Sequence, residues 1–165
     1  MGMGKWVAQG KKLLPFLLCA VVILIAQTPG VHVIFTGLVA IPIFWFAIFN
    51  PNALNAYAVF TLGLFADVIG QTPLGIYSFL FVLLFFVARL NRLFLKELSF
   101  KSLWMLFAVC SGLMILLQYF LFSLCVGVIS ANGFLLFQYV TLNLLYPLGV
   151  AVCGRLNKSI EETGV

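Results

Sequence analysis

The feature that most constrains the fold is a succession of long apolar runs separated by short polar turns. Six segments approach the roughly 20 apolar residues that a helix needs to span a bilayer. They are 13–27, 31–49, 52–69, 74–95, 102–128 and 134–154. Because 64% of the 165 residues are hydrophobic and 8% are charged, no soluble domain of this size could bury them. The sequence predicts an all-α integral membrane protein, a compact bundle of six helices forming one membrane domain over 1–165.

Turns that contain proline mark several boundaries between these segments. Thr28-Pro29, Asn50-Pro51 and Thr72-Pro73 each place a capping residue before a proline, which suits the first position of a helix. The run 130–133 separates the last two segments. A secretory signal is the alternative for the first segment. However, 24–26 lacks the small-x-small pattern of a cleavage site, so we expect a retained helix.

The positive charges predict an orientation. All nine lysines and arginines fall on one predicted side of the membrane, namely Lys5, Lys11, Lys12, Arg89, Arg92, Lys96, Lys101, Arg155 and Lys158. The positive-inside rule therefore places both termini in the cytoplasm. The clustering also explains the net charge of +5. It favours anionic lipid headgroups as the partner and argues against nucleic acid.

Candidate catalytic groups are scarce. Asp67 is the one acidic residue within the predicted spans and His32 is the one histidine, so no nucleophile–base–acid set can be assembled. His32 is interpreted as an interfacial polar residue, with a proton relay as the alternative. The four cysteines lie in or beside apolar runs without C-x-x-C spacing, which is typical of small buried hydrophobes; they are Cys19, Cys110, Cys125 and Cys153. We predict no catalytic residue, no metal and no cofactor.

Asp67 is nevertheless a candidate functional residue. A carboxylate inside a membrane helix is costly, and this one lies near the C-terminal end of its segment, where the helix dipole disfavours negative charge. The following turn, 70–75, offers hydroxyl, amide and backbone N–H donors. We predict that Asp67 locks the hairpin between the third and fourth segments by accepting hydrogen bonds from this turn. A ligand or proton site is the alternative.

The predicted inner loop, 89–101, mixes basic and large apolar residues. If it is helical, Arg89, Arg92 and Lys96 share one face, since their spacing is three and then four, and Lys101 extends the basic surface. Such a segment would lie in the membrane interface. It either fixes the topology only or provides a docking surface for a cytoplasmic protein.

Polar and small residues at membrane depth predict how the helices pack. We expect interhelical hydrogen bonds of about 0.6–2 kcal/mol each from Asn55, Gln118, Gln138 and Asn143. Ala108 and Gly112 form a small-x-x-x-small pair that permits close helix approach. Phenylalanines at 79, 81, 85 and 86 make the fourth segment bulky, so that it faces lipid or another membrane protein.

The hairpin between the third and fourth segments resembles the signature of a known family. Residues 63–75 read Gly-Leu-Phe-Ala-Asp-Val-Ile-Gly-Gln-Thr-Pro-Leu-Gly. The bacterial rod shape-determining MreD family shows a glycine, an aspartate four residues on, and a Pro-Leu-Gly turn that opens the next helix. The residues that carry the resemblance are Gly63, Asp67, Gly70, Pro73, Leu74 and Gly75.

The resemblance implies a non-catalytic scaffold of the wall-elongation machinery. Its implied partners are MreC, the MreB filament and the elongation glycosyltransferase–transpeptidase pair, and self-association is left open. It also implies a fold similar to the substrate-binding subunits of energy-coupling vitamin transporters, which are the alternative function. That alternative expects a pocket near Asp67, Gln71, His32 and Tyr77, yet the predicted spans hold no second acidic residue. An intramembrane enzyme has the least support, because catalytic groups are scarce.

Overall fold

The computed structural model of the chain describes residues 15–24, 36–50, 54–127 and 134–162. These residues form helices joined by turns, and no strand occurs among them. The helices are α1 (Pro15–Leu24), α2 (Ala40–Phe49, preceded by a 3-10 turn, Thr36–Val39), α3 (Ala56–Ile69), α4 (Ile76–Leu90), α5 (Arg92–Glu97), α6 (Phe100–Val126) and α7 (Phe134–Glu162). The predicted all-helical class is confirmed. The first three lysines, His32, Pro51 and the predicted turns 28–29 and 130–133 lie outside the described residues.

Two of the described helices are long and apolar enough to cross a membrane. They are Phe100–Val126 and Leu135–Lys158, and at 1.5 Å per residue they reach about 40 and 36 Å, against roughly 30 Å of hydrocarbon. The other apolar helices are shorter, at Pro15–Leu24, Gly37–Phe49, Ala56–Ile69 and Ile76–Leu90. The count of six spans therefore stays a prediction.

Two predicted helix starts are wrong. The third segment was predicted to begin at 52, but α3 begins at Ala56, because Asn55 is extended (φ −101°, ψ 157°). Pro73 was predicted at the first helical position, but α4 begins at Ile76, after Gly75 in the left-handed region (φ 105°). Pro73 lies in a turn that continues through Gly75 before α4 forms.

Two other segments differ in length from their predictions. The segment 74–95 is divided at Asn91 (φ −93°, ψ 8°), which separates α4 from the short α5. In contrast, α7 continues past the predicted end at Gly154 to Glu162. The apolar run stops near 154, whereas the residues that follow are compatible with helix, so hydropathy marks the membrane boundary and not the helix end.

The core is built around α2. Nine of its ten residues are buried, all except Phe49, and α2 packs against α4, α5 and α7. An aromatic layer joins it to the long helices: the Phe44 and Phe107 rings meet edge to face at 5.4 Å, and Phe107 stacks on Tyr146 at 4.4 Å. A helix that is apolar all round is expected to be enclosed by others.

Much of the outside of the bundle is apolar. Met105, Leu136 and Leu144 are each 71% exposed, and they lie on the two long helices. The phenylalanines of α4 divide between the two surfaces, since Phe81 and Phe85 are fully buried while Phe79 is 53% exposed. An exposed apolar surface of this extent fits lipid and not water.

Candidate functional site

The Asp67 side chain lies at the contact between α3 and α4 and is fully buried. Its Oδ1 accepts hydrogen bonds from the Thr72 hydroxyl (3.0 Å) and the Tyr77 N–H (2.9 Å). Its Oδ2 accepts from the Gly75 N–H (2.9 Å), the Ser78 N–H (3.4 Å) and the Ser78 hydroxyl (3.2 Å). Both carboxylate oxygens are therefore surrounded by donors from the turn and from the start of α4.

This arrangement makes Asp67 the cap of a helix to which it does not belong. The N-cap residue of α4 is Gly75, which has no side chain to accept the free N–H groups of the first turn. Asp67 accepts from the N–H groups of Gly75, Tyr77 and Ser78, which have no partners within the helix itself. The N-terminal end of the α4 dipole also favours a negative charge there, which offsets the unfavourable C-terminal end of α3.

Gly63 allows α3 and α4 to approach closely enough for these bonds. A β-carbon at position 63 would overlap Ser78 Cα and would lie 2.6 Å from Ser78 N. Both obstructing atoms belong to the α4 backbone, so a side-chain rotation could not relieve the contact. Gly63 and Asp67 are four residues apart and both buried, and therefore lie on the same face of α3.

The turn between the two helices has a strained backbone at its centre. Gln71 has φ 52° and is the non-glycine residue with positive φ among the described positions. Its side chain is exposed, so it takes no part in holding Asp67, although an amide donor was predicted. Gly75 is the second residue of this turn with positive φ. Gly70 is the C-cap residue of α3, and the Leu74 side chain is 71% exposed. Pro73 precedes Leu74 within the turn.

Two of the four predicted polar packing residues make interhelical hydrogen bonds. Gln118 on α6 donates to the Tyr77 hydroxyl on α4 at 2.7 Å. Asn143 on α7 donates to the Ser111 hydroxyl on α6 at 3.4 Å and to the Tyr139 carbonyl on its own helix at 2.9 Å. The first bond joins the partner helix of the Asp67 site to the long helix beside it.

Gln138 and Asn55 make no interhelical hydrogen bond among the described residues. Gln138 is buried, yet neither Nε2 nor Oε1 has a partner, and the Tyr119 hydroxyl and Asn143 Oδ1 are also without one among the described residues. Gln138 faces the 3-10 turn before α2, where its Nε2 would lie 3.7 Å from a β-carbon at Gly37. Asn55 is exposed at the N-cap of α3 and makes no cap hydrogen bond.

The basic residues of the predicted inner loop do not share one face, because the chain breaks at Asn91. Arg89 stays on α4, with its guanidinium 5.5 Å from the centre of the Phe85 ring. Arg92 opens α5 and its Nε donates to the Ile48 carbonyl at the end of α2 (3.1 Å). Lys96 and Lys101 are exposed. Arg92 therefore caps the end of α2, while the side chains of Arg89, Lys96 and Lys101 are exposed.

The donors around Asp67 restrict what its carboxylate can do. Five donor groups already reach its two oxygens, so binding a ligand or abstracting a proton would require some of these bonds to break. The described residues include no group of three or more His, Cys, Asp or Glu that could hold a metal ion. The geometry favours a structural role for Asp67.

Sequence reasoning missed Ser78 and gave Gly63 no physical role. The serine three positions after the Gly75 N-cap was a usable signal, because its hydroxyl is a hydrogen-bond donor in the first turn of α4. The spacing of Gly63 and Asp67 was a second signal. Which face of α3 meets α4, however, depends on the rotation of both helices, and the hydropathy of an all-apolar segment does not fix that rotation.

Comparison with known protein families gives a match over most of the chain. The sequence model of the family described as rod shape-determining protein MreD matches residues 8–152, which is most of the chain. The matched range includes α1 to α6, the whole Asp67 site and the greater part of α7. The chain matches none of the curated proteins and none of the solved structures with which it was compared.

Proposed function

We propose, from the premise that this chain belongs to the rod shape-determining MreD family, that it is a non-catalytic scaffold. As a member of that family it is a rod shape-determining membrane protein. In the proposed role it holds MreC and connects it to the MreB filament and to the glycosyltransferase–transpeptidase pair that elongates the wall. The family match is the observation that carries this proposal.

The Asp67 site supports a scaffold rather than a turnover site. A scaffold needs a surface of fixed shape, and five hydrogen bonds to a buried carboxylate fix α3 against α4. In the proposed role Asp67 locks this hairpin, with Gly63 providing the close approach. The lock acts on the surface that other proteins meet and has no chemical step of its own.

The proposed topology has six spans in the inner membrane, with both termini in the cytoplasm. Bonds at one end of the bundle support it: Arg92 donates to the Ile48 carbonyl, and Asn50 donates to Asn157 Oδ1 at 3.0 Å. These bonds bring the end of α2, the start of α5 and the end of α7 together. The basic residues of α5 and α7 therefore gather at one end of the molecule, as the positive-inside rule requires.

The exposed part of the basic loop is the proposed cytoplasmic contact surface. Arg89, Lys96 and Lys101 are exposed, and beside them Leu93 and Phe94 are 82% and 68% exposed. A surface that combines basic and large apolar side chains suits an acidic, partly apolar segment of a partner, or the headgroup region of the membrane.

Isolation of the tagged protein from native membranes in mild detergent tests the scaffold. We expect MreC to co-purify, and we expect replacement of Arg89, Lys96 and Lys101 with Gln to reduce the recovery of cytoplasmic partners while MreC is retained. Arg92 is left unchanged in this variant, because its loss would disturb α2. Recovery of transporter ATPase subunits with a stoichiometric vitamin, in place of MreC, would contradict the scaffold and support a substrate-binding subunit.

A further inference from the structure

A second feature of the molecule, distant in sequence from the Asp67 hairpin, is a groove between α1, α2 and α7. It has a volume of about 230 Å³, and its lining residues are apolar or cysteine. Leu18 and Val22 form one side, Ile41 the second, and Leu148 and Val152 the third. Among the described residues, the three helices therefore leave an open apolar groove between them.

A close approach of α2 and α7 forms the floor of this groove. A β-carbon at Gly149 would lie 2.6 Å from Ile41 Cγ2, so a larger residue at 149 would push the two helices apart. Because Gly149 has no side chain, Ile41 can pack close to α7 and form the bottom of the groove, while the side chains that form its sides remain apart. The groove is consequently a result of how the helices pack and not of a missing contact.

Basic residues follow the part of α7 that lines the groove. Leu148, Val152 and Arg155 are spaced four and then three apart, which places them on one face of the helix. Leu148 is 63% exposed and Val152 is 50% exposed, and Arg155 and Lys158 are exposed as well. Arg155 thus follows Leu148 on the exposed edge of the groove, and Lys158 lies one turn further on, toward the neighbouring face of the helix.

We propose that this groove holds one acyl chain of an anionic phospholipid whose phosphate group contacts Arg155 and Lys158. A guanidinium has five donors in a fixed fork that matches phosphate oxygens, so Arg155 can bind a phosphate in addition to its contacts within the protein. The basic pair favours a phospholipid over an apolar partner helix, because a phosphate supplies the negative charge that an apolar helix lacks.

The charge and the groove contribute differently to this binding. Lipid tails are as apolar as leucine, so moving an acyl chain from bilayer to groove gains little free energy. The groove therefore fixes the position of the chain, and the basic pair sets the preference for an anionic headgroup. The inference concerns a lipid contact and is independent of the scaffold role proposed above, since either could fail without the other.

Native mass spectrometry of the full-length protein from nanodiscs of phosphatidylethanolamine and phosphatidylglycerol (3:1) tests the preference. We expect phosphatidylglycerol to be retained over phosphatidylethanolamine, and Arg155→Gln to lower that retention about fivefold, the equivalent of ~1 kcal/mol per basic residue near an anionic headgroup. Arg155→Lys, which keeps the positive charge, should retain more phosphatidylglycerol than Arg155→Gln does. Equal retention in the wild type and in Arg155→Gln would overturn the proposal.

A matched pair of valines tests the groove itself. Val152→Phe fills the groove, whereas Val140→Phe makes the same change at a 59% exposed position of α7 that does not line it. We expect loss of bound lipid in the first variant only. A photo-reactive residue at 152 should cross-link to phospholipid in native membranes. Cross-linking instead to a protein, or to the N-terminal residues of this chain, would overturn the proposal even if Val152→Phe does not fold.

Discussion

A carboxylate inside a membrane helix is tolerated when other groups replace the water it has lost. Around Asp67 these groups are three backbone N–H groups and two hydroxyls, and they come from the turn and from α4. The Asp67 carboxylate and the start of α4 depend on each other. Without Asp67 the first turn of α4 would be uncapped, and without α4 the carboxylate would be buried without hydrogen-bond partners. The two helices are therefore coupled through one side chain.

Replacing Asp67 with Ala should destabilise the protein by about 3 kcal/mol or more, because buried N–H groups lose their acceptor. Asp67→Asn should also destabilise, since its NH2 group would face donors where an oxygen now accepts. Thermal unfolding in a mild detergent measures both changes. Unchanged melting of the two variants would mean that the carboxylate does not hold the hairpin.

Gly63→Ala should destabilise by about 1–3 kcal/mol or prevent folding, because its β-carbon would meet the backbone of α4 at Ser78. Gly154→Ala is the matched control, since no described atom lies within 4 Å of a β-carbon at that helical position. Alanine there should be neutral or stabilising by up to about 1 kcal/mol. Similar melting temperatures for the two alanine variants would contradict the close contact of α3 and α4.

Gln138→Leu should stabilise the protein by about 1 kcal/mol, because it removes a buried amide whose nitrogen and oxygen have no partner among the described residues. Asn143→Leu is the comparison: its Nδ2 donates to the Tyr139 carbonyl and the Ser111 hydroxyl, so its loss should destabilise. Chemical unfolding of both variants shows whether the free energy of unfolding rises or falls in each. A destabilised Gln138→Leu would reveal a partner for this amide in the membrane.

At the scale of elements, the short helices depend on neighbours for their ends. α2 has ten residues, about 15 Å, and its last turn is stabilised from outside by Arg92 and by the bond between Asn50 and Asn157. α4 is capped by Asp67 in the same manner. Isolated helices of this length are marginal, so bonds between elements determine where each helix ends.

Arg92→Ala should therefore destabilise by about 1 kcal/mol, since the Ile48 carbonyl loses its donor. Lys96→Ala, on the same short helix but exposed, should change stability by less than about 0.5 kcal/mol. Melting temperatures of the two variants in detergent give the comparison. Equal effects would mean that Arg92 acts only as a surface charge.

The sequence predicts the element types better than their ends. A long apolar run predicts a helix, and the all-helical class is confirmed. The family prediction rested on the motif at 63–75 and is confirmed by the family match. The break at Asn91 and the late start of α4 are set by interactions across the fold, with Ile48 and with Asp67 respectively. Helix rotation decides that Ser78 reaches Asp67 and that Gln138 reaches no partner among the described residues. The hydropathy of a uniformly apolar sequence does not predict that rotation.

At the scale of the whole molecule, the two ends of the bundle differ in character. One end carries the hairpin closed by Asp67, and the other carries the basic residues of α4, α5 and α7, with α2 packed between them. The exposed side chains of α6 and of the first part of α7 are largely apolar, which suits a lipid environment. In the scaffold account, the fixed hairpin and the basic end present separate surfaces to partners on the two sides of the membrane.

Cell shape tests the central claim, that the locked hairpin is required for shape determination. The chain and its variants are expressed at matched membrane levels in a rod-shaped bacterium depleted of its own family member, and cell width is measured. We expect the wild type and Gly154→Ala to restore rods, and Asp67→Ala and Gly63→Ala to leave wide or round cells. Rods of normal width in the Asp67→Ala strain, at the same membrane level, would contradict the account.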